Sequence, residues 1–156
     1  MIHSKTILIT AAIGLFALSR ARGAGRAVNG LTPRSCDAGG CGYFGASRGN
    51  RDHNGLDLLI SPGTTVKSPV SGKVERYVDP YGDGDFGGVQ IKENGTGHTY
   101  KIMYLKPSAK IGSTIIKGGK IGTAQNIGKK YSGVPAHLHV ELIINGVWVD
   151  PAPYLK

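Results

Sequence analysis

His137-Leu138-His139-Val140-Glu141-Leu142-Ile143-Ile144-Asn145-Gly146-Val147-Trp148-Val149 reads as two β-strands joined by a tight turn. Asn-Gly between apolar runs is a strong hairpin signal, because both central residues of a type I′ turn need positive φ. Side chains on a strand alternate between faces. His137, His139 and Glu141 therefore share one face, with Leu138 and Val140 behind them. Two imidazoles and a carboxylate in a row are a donor set that suits Zn²⁺.

The same pattern recurs upstream. Leu56–Ile60 is a predicted strand stopped by Ser61-Pro62-Gly63, and Thr65–Lys67 and Lys73–Val78 are strands around Pro69 and Gly72. Val89–Lys92 and Thr99–Leu105 flank Asn94-Gly95 as a hairpin, and Thr114–Lys117 and Lys120–Thr123 follow. No segment sustains a helical period. Gly63-Thr64-Thr65-Val66 leading to Gly72-Lys73-Val74 is echoed by Gly112-Ser113-Thr114-Ile115 leading to Gly119-Lys120-Ile121. The expectation is an all-β fold, a compact antiparallel barrel or sandwich of two similar halves, each burying a face that the other needs covered.

The chain of 156 residues has room for one domain and a short appendage. Lys5 precedes a run of 13 weakly polar to apolar residues, Thr6 to Leu18, and small residues follow at cleavage-site spacing. That is the pattern of a secretory signal peptide. As a helix the run would reach only about 20 Å, short of a bilayer core. The expected organisation is a signal peptide at 1–23, an N-terminal arm at 24–52 and a β-domain at 53–156, secreted and without a transmembrane segment. Cys36 and Cys41 are predicted to close a small disulfide loop that pins the arm, since no second Cys or His pair lies nearby to make a zinc knuckle. Asn94-Gly95-Thr96 is both a turn and a glycosylation sequon.

Removing the leader takes Lys5, Arg20 and Arg22 from a formal charge of +9 and leaves the chain basic. Such a surface suits anionic partners (sulfated glycans, cell walls or acidic receptors) or serves solubility alone. The basic residues are scattered and few aromatics accompany them, which argues against nucleic acid.

Only four histidines lie beyond the leader, and three fall in two compact patterns. Besides His137 and His139 there is His53-Asn54-Gly55-Leu56-Asp57. Asn54-Gly55 argues against a helix, so His53 leaves a loop while Asp57 projects from the next strand, opposite Leu56 and Leu58. A carboxylate inside Leu-Asp-Leu-Leu-Ile needs a cation if it is buried. Three protein ligands with one open position is the arrangement of a catalytic zinc site. His98, on the strand of Tyr104 but roughly 20 Å along it, lies too far away to serve the same ion.

His53-x-x-x-Asp57 and His137-x-His139 resemble the two signatures of the lysostaphin/LytM-type zinc endopeptidases. Ser68-Pro69-Val70-Ser71-Gly72-Lys73-Val74, Lys117-Gly118-Gly119-Lys120-Ile121-Gly122 and Asp150-Pro151 extend the resemblance from about residue 50 to the C-terminus. It implies the duplicated hybrid fold of those enzymes and one Zn²⁺ held by His53, Asp57 and His139. His137 is then a catalytic group off the metal, and Glu141 supports the site from behind the ligands. Active members carry a further His in a segment like Tyr-x-His-Leu, where this chain has Ile102-Met103-Tyr104-Leu105. A phenol of pKa about 10 does not act as a base at neutral pH, and losing a general acid–base group costs about 10²–10⁴-fold in rate. Tyr104 keeps only a hydrogen-bonding role.

Cys36-Asp37-Ala38-Gly39-Gly40-Cys41-Gly42-Tyr43, Met103-Tyr104-Leu105-Lys106-Pro107 and Asp150-Pro151-x-x-Tyr154-Leu155 are similar to the leukocyte cell-derived chemotaxin-2 family, which also carries Tyr at that point. This resemblance implies a secreted, zinc-containing, non-enzymatic relative that acts as a chemotactic immune signal or receptor-binding factor. The alternative is an active endopeptidase cutting peptidoglycan cross-bridges.

Overall fold

The computed structural model describes residues 26–156. The signal peptide expected at 1–23 lies outside the described residues, as do the first two residues of the arm. The described chain is almost all β: β1 (Arg26–Ala27), β2 (Leu56–Leu59), β3 (Thr65–Lys67), β4 (Gly72–Val78), β5 (Gly88–Glu93), β6 (Thr99–Met103), β7 (Leu105–Pro107), β8 (Thr114–Ile115), β9 (Lys120–Ala124), β10 (His137–Ile144) and β11 (Val147–Val149), with short 3-10 turns and no α-helix.

Two sheets pack on one core. The smaller runs β1-β3-β9-β7, and the larger runs β11-β10-β6-β5-β4-β8 with β2 added beside β10. All pairings are antiparallel except β1 with β3. Between the sheets lie Val66, Val74, Val89, Ile102, Ile121 and Leu138, all fully buried.

The internal repeat accounts for how the sheets join. Each Gly-rich unit places one strand in each sheet. β3 of the first unit pairs with β9 of the second through Val66 and Gly122, and β4 of the first pairs with β8 of the second through Gly72 and Ile115. The two halves thus exchange partners instead of closing on themselves.

The C-terminal hairpin has the predicted bounds and turn, with Asn145 at φ 51° and Gly146 at φ 80°. Elsewhere the strand ends shift by a residue or two. The larger difference is the predicted strand Thr99–Leu105, which breaks into β6 and β7 at Tyr104, whose φ is +66°. An aromatic residue in the left-handed region is an uncommon conformation that its surroundings must impose. The break lets one continuous stretch serve both sheets: β6 pairs with β5 and β10, and β7 with β9.

The arm, expected to be loop-like, is built into the body. Val28 and Leu31 join the core, Pro33 bridges Leu58, and the amide of Asp57 donates to Gly42 O at 2.8 Å. The Cys36–Cys41 disulfide closes the loop between these contacts. No helix among the described residues is long and apolar enough to cross a membrane.

Ile102 sits on β6 at the centre of the large sheet with no exposed surface. Ile102→Ala is expected to lower the unfolding free energy by about 2–5 kcal/mol through lost burial and a residual cavity, read as a lower urea midpoint with an unchanged slope.

Candidate metal centre

β10 is the element that assembles the site. It is flanked over its first half by β2 and from His139 onward by β6, so that His139 faces Asp57 on one side and Met103 on the other. Tyr104 follows Met103 directly. His53 arrives from the end of a small hairpin: its amide donates to Ala46 O at 2.9 Å and its carbonyl accepts from Gly45 N at 2.8 Å. The alternation of β10 then does the rest. Leu138 and Val140 are wholly buried behind the strand, while His137, His139 and Glu141 face a cavity of about 510 Å³.

Three donor atoms converge there. His53 Nε2 and His139 Nδ1 are 3.0 Å apart, His139 Nδ1 and Asp57 Oδ1 2.9 Å, and His53 Nε2 and Asp57 Oδ1 3.2 Å. The outward nitrogens fix the tautomers. His53 Nδ1 lies 2.8 Å from Tyr43 O, which can only accept, and His139 Nε2 lies 3.5 Å from Glu141 Oε1. With protons on those atoms, the two inward nitrogens present lone pairs to each other and to a carboxylate oxygen. Such a triangle is repulsive by itself and satisfied by a cation. Four tetrahedral ligands at zinc-like bond lengths lie roughly 3.3 Å apart, close to the separations found here. Imidazole and carboxylate donors with no thiolate fit Zn²⁺, so His53, Asp57 and His139 together can hold a metal ion.

The electrostatics agree. Burial alone would push the His139 imidazole down, but the carboxylates of Asp57 and Glu141 outweigh it and hold it above its ordinary value. Burial likewise works against ionised Asp57, yet hydrogen bonds with His139 and His53 keep it well below the usual carboxylate range. The site favours positive charge at its centre, whether proton or metal, so the two compete as pH falls.

Asp57 is 2% exposed and its second oxygen is also committed. Arg34, 4% exposed, donates to Oδ2 from Nε at 3.2 Å and from Nη2 at 2.9 Å. Its Nη1 reaches Gly40 O at 3.0 Å and ion-pairs with Asp37, both inside the disulfide loop. Arg34 is the site residue that sequence reading missed, because nothing local marks it; only its position two residues before Cys36 hints at a constrained place.

Outside the donor triangle, His137 Nδ1 lies 2.7 Å from Pro135 O, which puts the proton on Nδ1 and leaves Nε2 as a free lone pair. Its burial lowers the pKa and keeps the ring neutral near pH 7. Tyr104 stands edge-on to it with ring centres 5.4 Å apart. Burial pushes the Tyr104 phenol up, and its hydroxyl lies 3.0 Å from that of Tyr81, a second residue unforeseen from sequence. Behind His139, Glu141 Oε2 accepts from Lys101 Nζ and Trp148 Nε1, each at 2.9 Å. Burial would raise Glu141, but hydrogen bonds with His139, Trp148 and Lys101 bring it down to about 2. Asn94 is exposed at its turn, and His98 lies apart beside Glu93 and Tyr154.

A metal-competent His-Asp-His cluster on an open, two-sheet β-fold defines a class. Residues 51–151 match the model of peptidase family M23, and the chain belongs to that family. Among its relatives, mouse leukocyte cell-derived chemotaxin-2 is 40% identical over 122 residues, 78% of each chain. The catalytic domain of lysostaphin from Staphylococcus simulans has a similar structure, with a TM-score of 0.62 at 31% identity over 83% of this chain and 95% of that one. A zinc-containing peptidase from Vibrio cholerae has a TM-score of 0.55 at 25% identity, over 77% of this chain and 36% of that one.

Two outcomes are expected. A Cβ at Gly55 would lie 2.7 Å from His139 Nε2 and 2.6 Å from Val140 O, so Gly55→Ala should displace the imidazole and weaken metal binding at least tenfold, measured by chelator competition. Glu141 has a folded pKa of about 2 against an ordinary 4.5. A depressed folded value gives stability that is present above the unfolded pKa and lost as pH falls through the folded one. Glu141→Gln should therefore flatten the acid limb of the stability curve between about pH 4.5 and 2, read by urea unfolding of metal-free protein.

Proposed function

We propose that the chain is a secreted, zinc-binding and catalytically degenerate member of its family, acting as a chemotactic or receptor-binding signal in immunity and not as a hydrolase. His53, Asp57 and His139 are the ligands of one Zn²⁺, with Arg34 and Glu141 orienting Asp57 and His139. When bound, the zinc supplies Lewis acidity to an oxygen in the open position.

The observation that carries this reading is Tyr104. Peptide hydrolysis at such a centre needs proton transfers to and from the reacting groups. His137 has one free nitrogen facing the cavity. Across from it is a phenol whose pKa is pushed above its ordinary value. Tyr104 keeps its proton at neutral pH and donates or shares a hydrogen bond, but it does not abstract a proton. The groove holds a ligand without turning it over. The disulfide and the basic surface accord with an extracellular setting and anionic partners. The second reading, an endopeptidase acting on glycine-rich cross-bridges of bacterial walls, draws on the free Nε2 of His137 and the likeness to lysostaphin.

Zinc-loaded protein should contain about one zinc per chain, falling towards zero in His139→Ala, by elemental analysis. It should leave a suspension of glycine-rich walls turbid, whereas Tyr104→His should gain chelator-sensitive clearing, up to the roughly 10²–10⁴-fold worth of an acid–base group. Chelator-sensitive clearing by the natural chain would overturn the non-enzymatic reading in favour of the peptidase.

A further inference from the structure

The cavity that holds the donor triangle is also lined by Arg48 and Arg51. Both come from one small hairpin: Ser47 bridges Asp52, the amide of Arg48 donates to Arg51 O at 2.8 Å, and Gly49 turns the chain at φ +80°. The same hairpin delivers His53, so both arginines are rooted beside the metal site on the backbone that supplies one of its ligands.

A count of charges separates these two from their neighbours. Arg34 is committed to Asp57 and Asp37, and Lys101 to Glu141. The nearest carboxylate oxygen to Arg48 is Asp57 Oδ2 at 3.7 Å, and that oxygen already accepts twice from Arg34. Arg48 Nη1 is buried with no hydrogen-bond partner among the described residues. Arg51 is exposed and forms no ion pair among them. Arg48 Nη1 is packed against Gly40; the donors open to an anion are the other N–H groups of Arg48, whose side chain is 17% exposed, and the exposed guanidinium of Arg51, both suited to charge-assisted hydrogen bonds. The cavity is also walled on this side. Arg48 packs on Gly40 of the disulfide loop, and a Cβ on the adjoining Gly39 would lie 2.6 Å from Cγ2 of Val134.

We propose that Arg48 and Arg51 form a carboxylate-recognition site at the walled end of the groove, and that the ligand is a peptide presenting a carboxylate there while an oxygen of its backbone occupies the open zinc position. This rests on the zinc reading above. The fork geometry of guanidinium matches a carboxylate in two parallel hydrogen bonds. The carboxylate can be a chain terminus or an Asp or Glu side chain.

The test uses the full secreted chain loaded with zinc and three probes, with binding followed by calorimetry: a glycine pentapeptide with a free C-terminal carboxylate, its C-terminal amide, and a C-terminally amidated glycine peptide with one central Glu. The free acid should bind at least tenfold tighter than its amide, and Arg48→Gln and Arg51→Gln should each reduce that preference about tenfold or more. The Glu peptide identifies the source: binding like the free acid assigns the carboxylate to a side chain, and binding like the amide assigns it to a terminus. Equal affinity of all three probes overturns the proposal. So does an acid preference that survives both substitutions, because zinc alone would then be taking the carboxylate. Zinc content and thermal midpoint are measured on the same samples, and because Arg51 is exposed, R51Q tests the preference without disturbing the core. Absence of zinc from the loaded natural chain would instead sink the function proposed above, so the two failures are distinguishable.

Discussion

The register of β2 against β10, which sets Asp57 opposite His139, is the constraint on which the rest of the structure depends. It brings a carboxylate into the interior, where an unpaired charge would cost several kcal/mol. The two oxygens of that carboxylate divide the work. Oδ2 is held by Arg34, whose other nitrogen grips the disulfide loop, and Oδ1 is left to the imidazoles. The arm is therefore part of the centre. Without Pro33, Arg34 and Gly42 laid along β2, Asp57 would be free to turn and the donor triangle would lose its fixed corner.

Around this corner the groove sets a donor triangle, a further histidine and an aromatic wall side by side. His137 has its tautomer set and one nitrogen exposed to the cavity. The position across the groove is a phenol engaged with Tyr81, and the aromatic cluster continues through Phe86 and Tyr131. Aromatic rings and guanidinium groups grip a ligand through stacking and paired hydrogen bonds. On the function proposed above, the Tyr104 phenol, which burial holds above its ordinary pKa, keeps its proton near neutral pH and serves as a hydrogen-bonding group.

Much of the centre was legible because its donors lie in two short segments with strict spacing. Alternation fixed which face of β10 carries His137, His139 and Glu141, and Asn145-Gly146 fixed the hairpin that anchors it. The fold class was legible for the same reason, from short β-branched runs punctuated by glycine. What could not be read were features set by tertiary contact. The break at Tyr104 has no local signature, since nothing in Ile102-Met103-Tyr104-Leu105 favours a left-handed residue; the competing pairings of β6 and β7 impose it. Arg34 and Arg48 read as ordinary surface charges until the fold brings them to Asp57. The arm looked irregular because its order comes from bridges to β2 and from side chains in the core, neither of which leaves a periodic trace.

The exchanged pairing of the two Gly-rich units bears on how the molecule is made. Val66 finds its partner in Gly122, and Gly72 finds one of its two partners in Ile115, so neither sheet can be completed until more than three quarters of the chain has left the ribosome. Such wiring raises the contact order and places the entropy of long loop closure ahead of the contacts that join the two halves. The nascent polypeptide consequently carries open strand edges for most of its synthesis. The local meander β4-β5-β6 and the short Cys36–Cys41 ring lie within the first two thirds of the chain, whereas β2 waits for β10 to become part of a sheet.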